Sequence, residues 1–305
     1  MLATAITALP CGPGWAYEFK WDGVRALLDV SERGVRIRSR AGNDVSGGYP
    51  ELVAQAADIE DALLDGEIVA FDAGRPSFEK LQLRMHVRGK AELARLSEQV
   101  PVTFVAFDIL RRFGVELTAR PYEQRRTTLE RFAEDHPDWT ISPSFDDGDA
   151  TLAVARENGL EGVVAKRVDS PYRAGARHED WRKLRFVRAG EFVVLGWEAA
   201  PEHPSTVGSL VLGVTDEHGL RYAGKVGSGL SGRTAGVLRS MFVEQGAPSV
   251  AGLPRAPRGR IAHWVAPSVV VDVRYSMVTG DGVLRQPVFR GIRTDKTAAE
   301  ARGDG

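Results

Sequence analysis

Two textures along this chain predict an α+β protein of two domains, and its length sets the scale. Up to about residue 188, strands rich in β-branched and aromatic residues alternate with helical stretches, as in a mixed α/β domain. From Glu191 onward, short strands between glycine-rich turns, with one helix among them, suggest a small closed β-barrel of the oligonucleotide-binding type, an OB-fold. The 305 residues, 43% hydrophobic and 27% charged, form a soluble globular composition with room for about two such domains. The expected boundary lies near Arg188-Ala189-Gly190, giving domains over 1–188 and 189–305, with a disordered tail from about residue 297.

The elements follow in order. Residues 15–21, 24–30, 35–40 and 63–71 read as strands, with turns at Gly23, Gly34 and Gly42 and a short helix at 50–57. Residues 101–110 form another buried strand, and 122–135 an amphipathic helix with Leu129 and Phe132 inward. A shorter helix at 150–157 stops at Gly159, and strands follow at 161–167 and 181–187. Strands at 191–198, 209–215, 220–226 and 269–277, with a helix at 233–244, build the second domain. No internal repeat is present.

Composition narrows the function classes. Apolar runs such as Ser268-Val269-Val270-Val271 are far too short to span a bilayer, so no membrane role is expected. No basic region precedes the apolar residues at the N-terminus, which argues against a signal peptide. Cys11 is the only cysteine, which excludes an intrachain disulfide and a thiolate metal cluster and suits a reducing cytoplasm. Net charge is −1; residues 1–187 hold 26 Lys+Arg against 30 Asp+Glu, and residues 188–305 hold 14 against 11. Any nucleic-acid surface must therefore be local. Only seven of the 40 basic residues are lysine: Lys20, Lys80, Lys90, Lys166, Lys183, Lys225 and Lys296. Arginine cannot be deprotonated into a nucleophile, so each retained lysine is a candidate.

Glu18-Phe19-Lys20-Trp21-Asp22-Gly23-Val24-Arg25 sets one lysine between two carboxylates where a strand runs into a turn. A lysine attacks only after losing a proton, from an ordinary pKa of about 10.4, and carboxylates alone oppose that loss. Further cations or a metal must converge on it. The chain supplies five polar clusters at strand positions: Ser39-Arg40-Ala41-Gly42-Asn43-Asp44, Asp65-Gly66-Glu67, Phe107-Asp108, Glu161 through Lys166, and Lys183-Leu184-Arg185. Alternation puts Glu161 and Ala165 on one strand face and Lys166 on the other. Each cluster alone has a bland surface reading. Together they offer a nucleophilic lysine, cations beside it, carboxylates for a divalent metal and an aromatic to stack on a base, the components of nucleotidyl transfer onto lysine.

Lys20-x-Asp22-Gly23 followed by these clusters in this order resembles the covalent nucleotidyltransferases: DNA ligases, RNA ligases and capping enzymes. The stretches from Gly14 to Arg25, from Leu64 to Asp72 and from Arg290 to Lys296 look closest to the ligase domain of bacterial ATP-dependent DNA ligase D, and the resemblance runs from about Leu2 to Lys296. It implies an adenylation domain followed by an OB-fold, and sealing of 5′-phosphate/3′-hydroxyl nicks or ends in duplex DNA through lysyl-AMP and AMP-DNA intermediates. By that resemblance Lys20 attacks the α-phosphate of ATP, Glu18 accepts a hydrogen bond from the adenine amino group, and Phe107 stacks on the ring. Arg25 and Glu67 hold the ribose side, Arg40 the 5′-phosphate of the nick, and Lys183 and Arg185 the α-phosphate. Glu67 and Glu161 bind magnesium or manganese, while Arg293, Asp295 and Lys296 orient the pyrophosphate. The family pattern Lys-x-Lys is here Lys183-Leu184-Arg185, which keeps the charge but adds a planar fork.

The same resemblance implies nicked or broken DNA as partner, a monomer, a cytoplasmic and nucleoid-associated setting, and a role in non-homologous end joining beside Ku and polymerase or nuclease modules. An RNA ligase or capping guanylyltransferase shares the first step, and a non-catalytic DNA-binding adaptor would share the fold; both alternatives stay open at this point. Gly224-Lys225-Val226-Gly227-Ser228-Gly229 lacks phosphate-loop spacing and reads as a strand and turn, with a DNA-backbone contact through Lys225 as the alternative. His178 and His203 have no partners at zinc-ligand spacing. Arg302-Gly303-Asp304 is read as a chance match to an adhesion motif, and the segment from Gln82 to His86, which also matches the ligase D pattern, as structural support with a DNA contact as the alternative.

Overall fold

The structure, a computed structural model, describes residues 1–85, 87, 89–200, 203–217, 219–248, 250–253 and 262–303. The chain divides into two compact units, Met1–Phe186 and Val187–Gly305. The first contains β1 (Leu2–Ala5), β2 (Trp15–Lys20), β3 (Val24–Ser31), β4 (Gly34–Ser39), α1 (Pro50–Gln55), β5 (Ala62–Asp72), β6 (Arg75–Pro76), α2 (Phe78–Gln82) and α3 (Lys90–Gln99). It continues with β7 (Val102–Arg112), β8 (Val115–Glu116), α4 (Tyr122–Asp135), β9 (Thr140–Ile141), β10 (Ser144–Phe145), α5 (Gly148–Glu157), β11 (Gly162–Arg167) and β12 (Arg177–Arg185).

These strands form two sheets. One runs β1-β12-β11-β2-β10; the other runs β4-β3-β5-β7-β8, with β6 on β5 and β9 on β7. Ala26, Leu28 and Val30 of β3 alternate inward, and with Leu64, Ile68, Phe104 and Ile109 they pack under α1 and α4 through Leu52, Leu129 and Phe132. On the other face of that sheet, Leu27, Leu63 and Phe107 pack with Tyr172 and Trp181 of the first sheet's side. Helix α5 covers the first sheet through Ala155 against Tyr17, Val163 and Ala165. It begins where the Asp147 carboxylate accepts from Ala150 N at 2.9 Å, and Gly159 follows its end at φ +66°.

The passage from one sheet to the other is the turn after Lys20. A Cβ on Gly23 would meet the Ile68 carbonyl oxygen at 2.1 Å and Glu67 Cγ at 2.9 Å, so only glycine lets β3 approach β5 there.

The second unit contains β13 (Arg188–Ala200), β14 (His203–Asp216), β15 (Gly219–Val226), α6 (Gly232–Met241), β16 (Ala262–Trp264), β17 (Val270–Tyr275), β18 (Met277–Val278), β19 (Leu284–Arg285) and β20 (Val288–Arg293). Its main sheet runs β15-β14-β13-β17-β20, with β16 paired to β13. Register shifts in β13/β14, β14/β15 and β17/β20 bend it around a core of Phe192, Trp197, Leu210, Leu238, Val271 and Phe289. Among the described residues no ladder joins β15 to β20. Instead Phe289 N donates to Ser228 O at 2.8 Å in the turn after β15. The sheet is a half-barrel, less closed than its strand pattern suggested.

Two expectations need correction. Residues 297–303 are ordered: Thr297 and Glu300 form a reciprocal cap around residues 298–300, Thr215 N donates to Ala301 O at 3.0 Å, and Ala301 is fully buried beside Val193 and Val270. Small alanine methyls supply that burial, which a hydropathy average over a polar tail conceals. Asp304 and Gly305 lie outside the described residues. Secondly, β1, α3 and β20 were not read from the sequence. Helix α3 buries only Leu96, so it carries almost no apolar period.

Buried charge ties the first unit together. Asp108 and Arg125 are both inaccessible and share two bonds of 2.8 and 2.9 Å, while Arg125 also donates to Arg120 O and Ser170 O. Arg84, from the segment read as structural support, is also buried and donates to Glu51, Gly48 O and Val100 O; His86 lies outside the described residues. Replacing one member of a buried pair strands the other. Arg125→Met is therefore expected to destabilise the first unit by about 3–5 kcal/mol in urea unfolding, whereas a loss under about 1 kcal/mol would mean that Asp108 finds water or another partner.

Candidate active site

Lys20 ends β2, where the chain leaves its sheet. Its Nζ donates to Glu161 Oε2, and Arg185 Nε forms an ion pair with Oε1 of the same carboxylate at 2.9 Å. The register makes this meeting. Gly162 of β11 pairs with Lys20 on one side and Arg185 on the other; two residues along, Val164 pairs with Glu18 and Lys183. Lys20, Arg185, Glu18 and Lys183 therefore share one face of the sheet. Burial pushes the Lys183 ammonium below the ordinary lysine range, and Arg185, Lys20 and Arg177 push it further against the pull of Glu161.

Strict alternation would send Glu161 to the face opposite Lys20. Gly162 breaks the alternation at φ +150°, and a Cβ there would meet the Leu184 carbonyl oxygen at 2.0 Å. Glu161 lies one residue before the paired strand and its carboxylate turns to the lysine. Lys166 is likewise on the Glu18 face, because the register pairs it with Ala16 and Trp181.

Glu18 is 1% exposed. Its Oε1 accepts from Lys166 Nζ and from the Tyr122 hydroxyl, both at 2.6 Å. Lys166 is equally buried, donates to Phe107 O at 2.7 Å, and lies 4.9, 5.0 and 4.5 Å from the rings of Phe107, Tyr122 and Trp181. Burial lowers its pKa, and the Glu18 carboxylate opposes that. Tyr122 and Lys166 had no assigned role in the sequence reading; their partners lie 104 and 148 positions away in the chain, beyond any local pattern.

Arg25 is anchored from below. Its guanidinium forks onto buried Asp65 at 3.0 and 2.6 Å and packs against the Phe107 and Trp181 rings, 5.4 and 5.8 Å away. Tyr172 also donates to Asp65, at 2.7 Å. A fully desolvated carboxylate takes the nearest cation, so Asp65 holds the Arg25 guanidinium beside the Phe107 ring.

Glu67 faces the same side of β5 as Asp65. It is part-buried and accepts no hydrogen bond among the described residues. Desolvation pushes its carboxyl up to about 8, with Glu161 and Asp65 adding to the rise and Lys20 and Arg25 opposing it. Glu67 and Glu161 are thus two hard oxygen donors within electrostatic reach of each other, one of them without a counter-ion. That set fits a magnesium-like ion completed by ligand phosphates and water. The described residues contain no group of three or more His, Cys, Asp or Glu able to hold a metal alone. Arg40 is exposed in the turn just beyond β4. Pairing of Leu27 with Arg38 and Asp29 with Arg36 puts those arginines on the face of Arg25 and Glu67.

The remaining predicted residues lie in the second unit and cluster among themselves. Arg293 forks onto Asp295 at 2.9 and 2.8 Å and also bonds Glu191, which Lys296 meets at 3.4 Å. Arg293 holds the Asp295 carboxyl down at about 2, and the carboxylates raise the arginine. Lys225 sits in β15, paired with buried Glu198, so its segment is a strand and turn.

The sequence matches the family model "ATP dependent DNA ligase domain" over residues 1–185 and "ATP dependent DNA ligase C terminal region" over residues 203–296. It is 39% identical over 293 residues to the multifunctional non-homologous end joining DNA repair protein LigD of Mycobacterium tuberculosis, covering 94% of this chain but only 37% of that protein. The crystal structure of the ligase domain of M. tuberculosis LigD superposes with a TM-score of 0.53 at 37% identity, covering 98% of this chain and 97% of that one. A mycobacterial DNA ligase D complexed with ATP and MES gives 0.55 at 36%, covering 99% and 98%.

The raised Glu67 carboxyl has a measurable consequence. Between its ordinary value of 4.5 and about 8, the unfolded chain has released a proton that the folded chain keeps. The folded state therefore loses stability through this group as pH rises across that window, and nothing further above it. Glu67→Gln cannot ionise. Its thermal midpoint relative to wild type should climb from about pH 5 to pH 8 and then level off; a constant difference would mean that folding leaves this carboxyl unshifted.

Proposed function

The chain belongs to the ATP-dependent DNA ligases, and from that premise we propose that it seals 5′-phosphate/3′-hydroxyl nicks or ends in duplex DNA. The observation that carries the reading is the convergence of Lys20, Glu161, Arg185 and Lys183 on one sheet face, with Glu67 across from them.

In the first step Lys20 Nζ attacks the α-phosphorus of ATP. The nitrogen–phosphorus bond forms as the bond to the bridging oxygen breaks, pyrophosphate leaves and lysyl-AMP remains. Lys20 must first give up a proton and its bond to Glu161, the carboxylate within reach to take that proton, and Arg185 keeps that carboxylate in place when it does. Lys183 and Arg185 face the charge that builds on the α-phosphate oxygens, and being already ordered they need no reorganisation. Glu67 and Glu161 would hold a divalent cation, which when bound neutralises phosphate charge as the leaving group departs. Phe107 stacks on the base, and Glu18, with Oε1 fixed, offers its other oxygen to the adenine amino group. AMP then passes to the DNA 5′-phosphate, held by Arg40, and the 3′-hydroxyl attacks that phosphate and releases AMP. We assign Arg293, Asp295 and Lys296 of the OB-fold unit to the pyrophosphate leaving group, with the first unit as the adenylation domain.

Exposed Arg36 and Arg38, on the site face of an edge strand, suit a duplex phosphate backbone. The chain spans about a third of the length of its end-joining relatives. A role in double-strand break repair, with Ku and with polymerase or nuclease modules, therefore belongs to this reading and rests on that kinship. No helix among the described residues is long and apolar enough to cross a membrane.

α-Labelled ATP with magnesium or manganese should leave acid-labile AMP on the wild-type protein and none on Lys20→Ala. Equal labelling of the two would sink the reading, as would labelling by GTP in preference to ATP. Arg36→Ala with Arg38→Ala should leave ATP labelling intact. It should also reduce the slope of log affinity for nicked DNA against log salt by about 2; an unchanged slope removes those arginines from the DNA surface.

A further inference from the structure

Lys166 is the one fully buried lysine among the described residues, and the proposed chemistry leaves it without a task. It is joined to both residues assigned to the base. Its ammonium pairs with Glu18 Oε1 at 2.6 Å and donates to the Phe107 carbonyl at 2.7 Å, inside a cage of the Phe107, Tyr122 and Trp181 rings. Strands β2, β7 and β11 meet at that nitrogen. The chain uses arginine at 33 of its 40 basic positions. Here a compact ammonium fits between three rings and donates in separate directions, which a planar guanidinium fork does less well.

We propose that Lys166 is the positioning residue for base selection: it fixes the Glu18 carboxylate and the Phe107 backbone in one arrangement and thereby makes the pocket prefer adenine to guanine. This rests on the reading of Glu18 and Phe107 as the adenine contacts. Adenine presents an amino donor where guanine presents a carbonyl oxygen. A carboxylate oxygen aimed by Lys166 and the Tyr122 hydroxyl accepts from the first and repels the second. Without the ammonium the Glu18 side chain is free to turn, and the aim that separates the two bases is lost. Lys166 touches no phosphate ligand, so its loss acts on nucleotide binding and choice before it acts on phosphoryl transfer.

The test measures single-turnover lysyl-AMP and lysyl-GMP formation across nucleotide concentration for the full chain. Lys166→Met keeps most of the volume and removes the charge. It should raise the half-saturating ATP concentration by about tenfold or more, change the maximal rate by less than about threefold, and cut the ATP-to-GTP preference by about tenfold or more. Tyr122→Phe removes the second donor to Glu18 and should shift the same quantities less. Lys166→Met with Glu18→Gln restores electrical balance and should recover the wild-type thermal midpoint, which separates the cost of an unpaired buried charge from the change in base choice read in Lys166→Met. If Lys166→Met does not fold, the same measurements on Tyr122→Phe decide. Wild-type half-saturation and preference in any folded variant of the set overturn the proposal. A wild-type protein that takes no label from ATP overturns the ligase reading instead.

Discussion

Every carboxylate drawn out of water in the first unit must meet a cation, and that matching organises the site. Asp108 is matched by Arg125, Asp65 by Arg25 and Glu18 by Lys166, each at 2.9 Å or less. Taking a carboxylate out of water costs far more than a surface ion pair returns, so each of these pairings is compulsory once the fold buries the acid. Glu67 is the exception. No cation bonds it among the described residues, and its carboxyl rises to about 8.

The same constraint separates residues that act from residues that support. Arg25 and Lys166 are spent on Asp65 and Glu18, and through them they hold Phe107 from two directions. Lys20, Lys183 and Arg185 converge instead on one partly exposed carboxylate, Glu161. A carboxylate shared by a lysine and an arginine can release the first without losing its place. Buried pairs give rigidity; the shared, accessible one gives a bond that can be exchanged.

Backbone geometry makes this arrangement reachable. Gly23 lets the chain pass within contact of Ile68 as it crosses from the first sheet to the second, and Gly162 turns Glu161 out of the alternation of its strand. Both glycines stand next to motif residues. Their lack of a side chain is what lets lysine and carboxylate come from strands 141 positions apart.

Much of this was legible in the residues alone. Strand alternation in β3, β5 and β7, the apolar stripe of α4, the Asp-Gly stop after Lys20 and the order of the clusters are local patterns, and local periodicity reports local structure faithfully. Lys20, Glu67, Glu161, Lys183 and Phe107 could be nominated because each is a polar or aromatic residue where a strand should be apolar or end. Which nominee meets which partner was decided by register and by burial, quantities that no window of sequence contains. Alternation misassigned Glu161 because one glycine at φ +150° overrode it. It left Lys166 without a role because Glu18, Phe107, Tyr122 and Trp181 surround it only once four separate segments pack. The tail after Thr297 was misjudged because two alanine methyls and a reciprocal cap stabilise it, not a hydrophobic run. Sequence determined the chemical groups and the strands that carry them; tertiary structure decided their pairing, because desolvation is a property of the packed chain.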